Sequence, residues 1–130
     1  MATIIIFEDL EIWQKAREIC NDVWLMMEET TLQKDYGLKN QMNTSSGSVM
    51  DNIAEGFERN GNREFIQFLS ISKASCGELR SQLYRAYDRK HITEEQFNAI
   101  KALTITEGKM IGAFMSYLVK TENKGTKFKK

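Results

Sequence analysis

His91 is the only histidine in the 130 residues, and there are two cysteines, Cys20 and Cys76. His91 sits in the turn-like stretch "RKHITEEQ", with no cysteine or carboxylate at a metal-ligand spacing. Zinc binding and histidine-assisted nucleophilic catalysis therefore lack their parts. A di-iron carboxylate site needs Glu-x-x-His on two helices, and that pattern is absent. There is no Gly-rich phosphate loop of either common type. Asp51, Glu55, Glu58 and Glu107 are carboxylates that acid–base chemistry would need, but carboxylates on the exposed faces of a helix bundle are far commoner than catalytic ones. Trp13, Trp24, Phe65 and Phe68 have rings on which bases stack. They recur at helical spacing beside aliphatic residues, which is the pattern of core or interface side chains. The expectation is a chain with no enzymatic activity, no metal and no cofactor. Both cysteines are expected as reduced thiols in apolar surroundings, which suits a cytoplasmic protein.

The elements that would position these residues are helical. Proline is absent, and hydrophobic residues make up 42% of the sequence, enough for one core. No apolar run is long enough for a membrane span, and the first residues lack a basic region and cleavage site, so no membrane partner is expected. Four segments carry helical periodicity. The first, from about Glu8 to Glu29 with Asp9 as cap, has two apolar stripes. Leu10, Trp13, Ala16, Cys20, Trp24 and Met27 form one; Ile12, Ile19, Val23 and Met26 form the other. The second, about Leu38 to Phe57, has the seam Met42, Ser46, Val49 and Ile53, interrupted by "NTSSGSV", which taken alone also reads as a loop. The third, from Asn62 as cap to about Arg89, repeats Phe65, Leu69, Ser72, Cys76, Leu79, Leu83 and Ala86 in alternating steps of four and three. Thr93 with Gln96 predicts a capping box, opening a fourth helix from Glu94 to Lys120 with Phe97, Ile100, Thr104, Ile111, Phe114 and Leu118 on its seam. Glu107 falls inside that seam, and the cost of an unpaired buried charge places it at the rim or at a subunit boundary. Residues 1–120 are thus expected as one all-α, antiparallel, up-down-up-down four-helix bundle, and 121–130 as a disordered basic tail.

Acids and bases balance at 18 each, but not evenly. Residues 1–36 hold eight acids and three bases; residues 62–90 hold six bases and three acids; the last ten hold four bases and one acid. Lys73 and Arg80 share one face of the third helix, and Arg85 and Arg89 share another with Lys90 adjacent. The plain reading is a solvated surface. Two sharper readings are contact between the acidic first helix of one subunit and the basic third helix of the next, and contact of these five residues and the lysine tail with RNA or DNA phosphates. The doubled apolar stripes make Ile12, Ile19, Trp24, Phe68 and Tyr117 candidates for an oligomer interface. In the block Asp51–Phe57, Asn52 and Glu55 are expected to satisfy turn groups near Asn60–Arg63, and Gly56 to make room.

Three blocks carry a family resemblance: "FEDLEIWQKA" (7–16), "YGLKNQM" (36–42) and "DNIAEGFERNGNREFIQFLSISKASCGELRSQL" (51–83). Together they resemble the four-helix-bundle proteins encoded in intervening sequences of 23S rRNA genes, also labelled 23S rRNA-associated or ribosomal-protein-like. The order and spacing of blocks match through the third helix, and the fourth matches loosely. The resemblance implies a left-handed antiparallel bundle, commonly a homopentamer, with no established enzyme activity. The accessory protein of diversity-generating retroelements looks like a relative and implies nucleic-acid or protein partners. Many members read Gln-Ile-Arg-Arg-Ala-Ala in the second helix, then Ser-Ile-Pro-Ser-Asn. Here Gln41-Met42-Asn43-Thr44-Ser45-Ser46 and Ser48-Val49-Met50-Asp51-Asn52 stand instead, so two arginines are gone, and with them any contact to RNA that they make in relatives.

Overall fold

The computed structural model describes residues 4–122. Four helices carry the fold: α1 (Glu11–Glu29), α2 (Tyr36–Phe57), α3 (Asn62–Asp88) and α4 (Glu94–Glu122), with short 3-10 turns at Phe7–Asp9 and Thr31–Lys34. Among the described residues there is no strand. Paired contacts give the direction of neighbours. Along α3, Phe65, Ser75 and Arg85 meet Phe57, Ser48 and Gln41 of α2, a descending order. Against α4, Phe65, Lys73 and Tyr84 meet Phe114, Gly112 and Phe97 in the same descending way. Both neighbours of α3 therefore run antiparallel to it.

The start of α1 differs from expectation. Leu10, and not Asp9, holds the N-cap position. Phe7 packs edge-on against Trp13 at 5.2 Å, and Leu10 is buried in an extended conformation, so residues 7–9 form a separate turn. The inward stripe of α1 is Ile12, Ala16, Ile19, Val23, Met26 and Met27. Ile12 and Ile19 thus belong to the chain's own core and are not an exposed interface. A helix with two apolar stripes does not state which positions its neighbours cover; here Ala16 and Met27 of the first stripe go inward with the second, while Trp24 stays at the edge with its ring 47% exposed.

The "NTSSGSV" stretch is helix throughout, and small polar side chains of α1 and α3 meet it. Ser72 Oγ donates to the Val49 carbonyl at 2.7 Å, Ser75 and Ser48 hydroxyls meet at 2.8 Å, and the Cys20 thiol donates to the Ser46 carbonyl at 3.1 Å. Small polar side chains let the helices come close while their own polar groups stay satisfied. They lie on α2 between two apolar clusters, one containing Val49, Ile53, Phe65 and Leu69, the other Met27, Met42, Leu79 and Leu83.

Asn62 is the first residue of α3, not its cap; Gly61, at φ 111°, holds that place. The Asn62 amide instead donates to the Leu118 carbonyl at 3.4 Å and Thr121 Oγ at 3.0 Å, fastening α3 to the end of α4. Thr93 and Gln96 do form the reciprocal capping box, at 2.9 and 3.1 Å. Helix α4 continues through Glu122, two residues past the expected end; the lysine tail lies outside the described residues.

Glu107 is at neither rim nor boundary of the chain. It is 0% exposed, on the seam between Thr104 and Ile111, and neither carboxylate oxygen has a hydrogen-bond partner among the described residues. Burial pushes its pKa up to about 8, with only the Lys15 charge on α1 pulling the other way. The group is therefore a neutral acid at pH 7, which is how the chain tolerates it. On α3, burial and then Glu107 push the Cys76 thiol up to about 12.

Candidate nucleic-acid interface

The five basic candidates separate into two groups. Lys73 and Arg80 border a cleft of about 590 Å³ between α3 and α4, whose other lining residues include Cys76, Gly77, Thr104, Gly108 and Lys109. A Cβ added at Gly77 or Gly108 would meet nothing within 4 Å, so the cleft is open above both glycines. The Lys73 stem lies across the seam, with Cε 3.4 Å from where a Gly112 Cβ would sit. Among the described residues, Lys73, Arg80 and Lys109 enter no ion pair. Further along the seam Lys101 holds its ammonium 5.4 Å above the Tyr84 ring and 5.5 Å above Phe97, and Tyr84 is 45% exposed.

The remaining cations face elsewhere. Arg85 donates to Gln41 Oε1 of α2 at 2.7 Å and lines a separate, polar groove with Thr44, Glu78 and Gln82. Arg89 donates to Asp35 Oδ2 at 2.8 Å. The same carboxylate pairs with His91 Nε2 at 2.9 Å, and His91 Nδ1 meets the Thr31 hydroxyl at 2.8 Å. Arg89 and then His91 hold the Asp35 carboxyl below its usual pKa. This cluster clamps the α1–α2 connection to the α3–α4 corner, so Arg89 already has a structural partner. Lys90 is exposed just beyond, in the left-handed region at φ 62°.

Lys109 and Lys101 escape a reading of α3 alone, and Tyr84 on α3 gives no sign there of its neighbours. They come into play only through the register that sets Gly77 against Gly108 and Tyr84 against Lys101. The two glycines were the available signal: mid-helix glycine is unfavourable without a reason in packing or in an approaching backbone.

The other candidates have plain local roles. Gly56 is buried where α2 meets α3, and a Cβ there would lie 2.7 Å from Phe68 Cβ and 2.8 Å from Phe65 Cδ1. Asn52 does not reach the turn; its amide bonds back to the Ser48 carbonyl and hydroxyl, both at 2.9 Å. Glu55 does reach the turn, pairing at 2.9 Å with Arg59 just past the end of α2, and Arg59 lies 5.0 Å above the half-buried Phe68 ring. Tyr117 is half-buried against Phe114. Among the described residues no group of three histidine, cysteine or acidic side chains is placed to hold a metal ion.

The family model described as 23S rRNA-intervening sequence protein matches residues 8–113, most of the chain and all of the three motif blocks except Phe7. The chain belongs to that family. A solved structure of similar fold is a protein of unknown function from the S23 ribosomal protein family of Bacteroides thetaiotaomicron VPI-5482. It is 21% identical, covers 80% of this chain and 97% of its own, and superposes with a TM-score of 0.75. At that identity the likeness speaks for the helical fold. No curated protein matches. Among the described residues of this family member, no helix is long and apolar enough to cross a membrane.

Proposed function

We propose that this chain is a non-catalytic, self-associating helical bundle of the cytoplasm that associates with nucleic acid through its α3–α4 face. The observation that carries the reading is the set of three cations, Lys73, Arg80 and Lys109, gathered on one open cleft without carboxylate partners. Unneutralised cations grouped on a concave surface attract phosphates, and release of counterions drives the association. The resemblance to the accessory protein of diversity-generating retroelements points the same way. Self-association, with a pentamer as the family resemblance implies, is supported by large apolar side chains left in the open: Trp24, Leu25, Ile71 and Val119. Those side chains also favour a second reading, a protein-interaction module without affinity for nucleic acid.

A filter-binding titration with structured RNA and single-stranded DNA, run beside sedimentation velocity, separates the two. The expected result is binding at low salt that weakens on a log–log plot with a slope of about −2, the value for roughly three phosphate contacts on a single strand. Joint reversal of Lys73, Arg80 and Lys109 to glutamate abolishes it. A stable oligomer with no affinity at about 50 mM salt, conditions that favour phosphate contacts, favours the protein-interaction module.

A further inference from the structure

We propose that the α3–α4 cleft is a binding groove for one single strand of nucleic acid, its phosphates held by Lys73, Arg80 and Lys109 and a base held at Tyr84. This rests on the nucleic-acid reading above and adds to it the form of the ligand and the place where it lies.

Three observations converge. The first is charge on both walls. Lys73 and Arg80 come from α3 and Lys109 from α4, so the cations face a strand from either side. Lys101 continues the series. The second is the floor. Gly77 and Gly108 lie within helices where glycine is unfavourable relative to alanine. Neither is needed for packing inside the chain, because a Cβ at either meets nothing within 4 Å. Gly56 is the contrast, since its own neighbours fill that space. A floor without side chains lets a ligand sit low between the walls. The third is an aromatic ring at the end of the run. Tyr84 is 45% exposed and its ring is set edge-on against Phe97 at 4.9 Å, with a lysine beside it. A basic track with an exposed aromatic ring is the pattern that holds single strands without regard to sequence.

Shape decides between single strand and duplex. The cleft between α3 and α4, about 590 Å³, holds a stretch of one sugar–phosphate strand and is too small to take in a duplex. A duplex would touch only the rims, with its bases stacked inside and turned away from Tyr84. The run from Lys73 to Tyr84 covers about 16 Å of helix. That length suits about four nucleotides, the low end of known single-strand sites.

The test is fluorescence anisotropy on the full chain with dye-labelled oligo-dT and oligo-rU, and with a hairpin duplex of equal length. Gly77→Leu and Gly108→Leu together plug the groove while improving helix propensity. Gly47→Leu is the matched control, a mid-helix glycine of α2 with the same open space. The single strands are expected to bind about tenfold tighter than the duplex, the plugged variant and Tyr84→Ala to lose about tenfold each, and Gly47→Leu to bind as wild type. Circular dichroism confirms that each variant is folded. Equal affinity for duplex, or a plugged variant that binds normally while the charge-reversed one does not, overturns the groove and leaves a surface association standing. A plugged variant that changes sedimentation and not affinity also overturns it, and gives the cleft to a second copy of the chain. No binding of any probe removes the functional reading itself.

Discussion

Glu107→Leu is expected to unfold at higher urea than the natural chain, with the gain growing from pH 5 to pH 8. The carboxyl has an ordinary pKa in the unfolded chain and one of about 8 in the bundle, because burial disfavours its charged form. Between those values the folded state holds a proton that the unfolded state has lost. Stability therefore falls as pH rises across this window, by about 1.4 kcal/mol per unit, and levels off above the folded value. At pH 7 the accumulated cost is about 3 kcal/mol, and removing it raises the melting temperature by roughly 10 °C. Leucine at this place also meets apolar neighbours on the seam, Ile111 and Cys76 being buried. The Asp35 clamp has the opposite sign. Its carboxyl is held low by Arg89 and His91, so its contribution is present above the unfolded value and is lost only on acidification. That loss lies on the acid side of the window and does not mimic the effect. Urea denaturation at pH 5, 7 and 8 measures the difference; parallel curves for the two proteins would mean that Glu107 is not the neutral buried acid described above.

Gly56→Ala is the second large effect, a loss of about 3 kcal/mol. The added methyl would lie 2.7 Å from Phe68 Cβ and 2.8 Å from the Phe65 ring. Phe68 Cβ is the root of a side chain, and it yields only if the backbone of α3 moves. Phe65 is held in turn by Phe57 at 6.0 Å and Phe114 at 5.8 Å, so its ring has no free direction. Gly47→Ala gives the opposite sign, a gain of about 0.5–1 kcal/mol, because a Cβ there meets nothing and alanine favours the helix. Chemical denaturation of the pair checks both. If the two substitutions shift the midpoint alike, the close approach of α2 and α3 at Gly56 is wrong.

What was legible in the sequence followed from how much each pattern depended on distant residues. The α3 seam from Phe65 to Ala86 is buried as its spacing predicts, since one unbroken stripe leaves a helix a single face to hide. The Thr93–Gln96 box is equally local. Helix α1 carried two apolar stripes, and only the positions of α2 and α4 decide that Ile12 and Ile19 go inward and Trp24 outward. Arg85 and Arg89 looked like free cations because Gln41 and Asp35 stand 44 and 54 residues away. Asn62 looked like a cap for the same reason, its partners being Leu118 and Thr121. Half of the cleft was visible as Lys73 and Arg80. The other half, Lys109 and Gly108, belongs to a helix whose register against α3 no local pattern gives. Glu107 lies on the seam its spacing predicts, but a carboxylate there reads as a rim residue until its protonation, which burial by the packed helices imposes, is included.

The most direct measurement is the backbone amide spectrum of the isotope-labelled chain during titration with a short oligo-dT. Shifts centred on residues 73–84 and 101–109, fading as salt is added, are the predicted result. Shifts centred on α1 and α2, or a spectrum that does not change at low salt, would contradict nucleic-acid binding at the α3–α4 face.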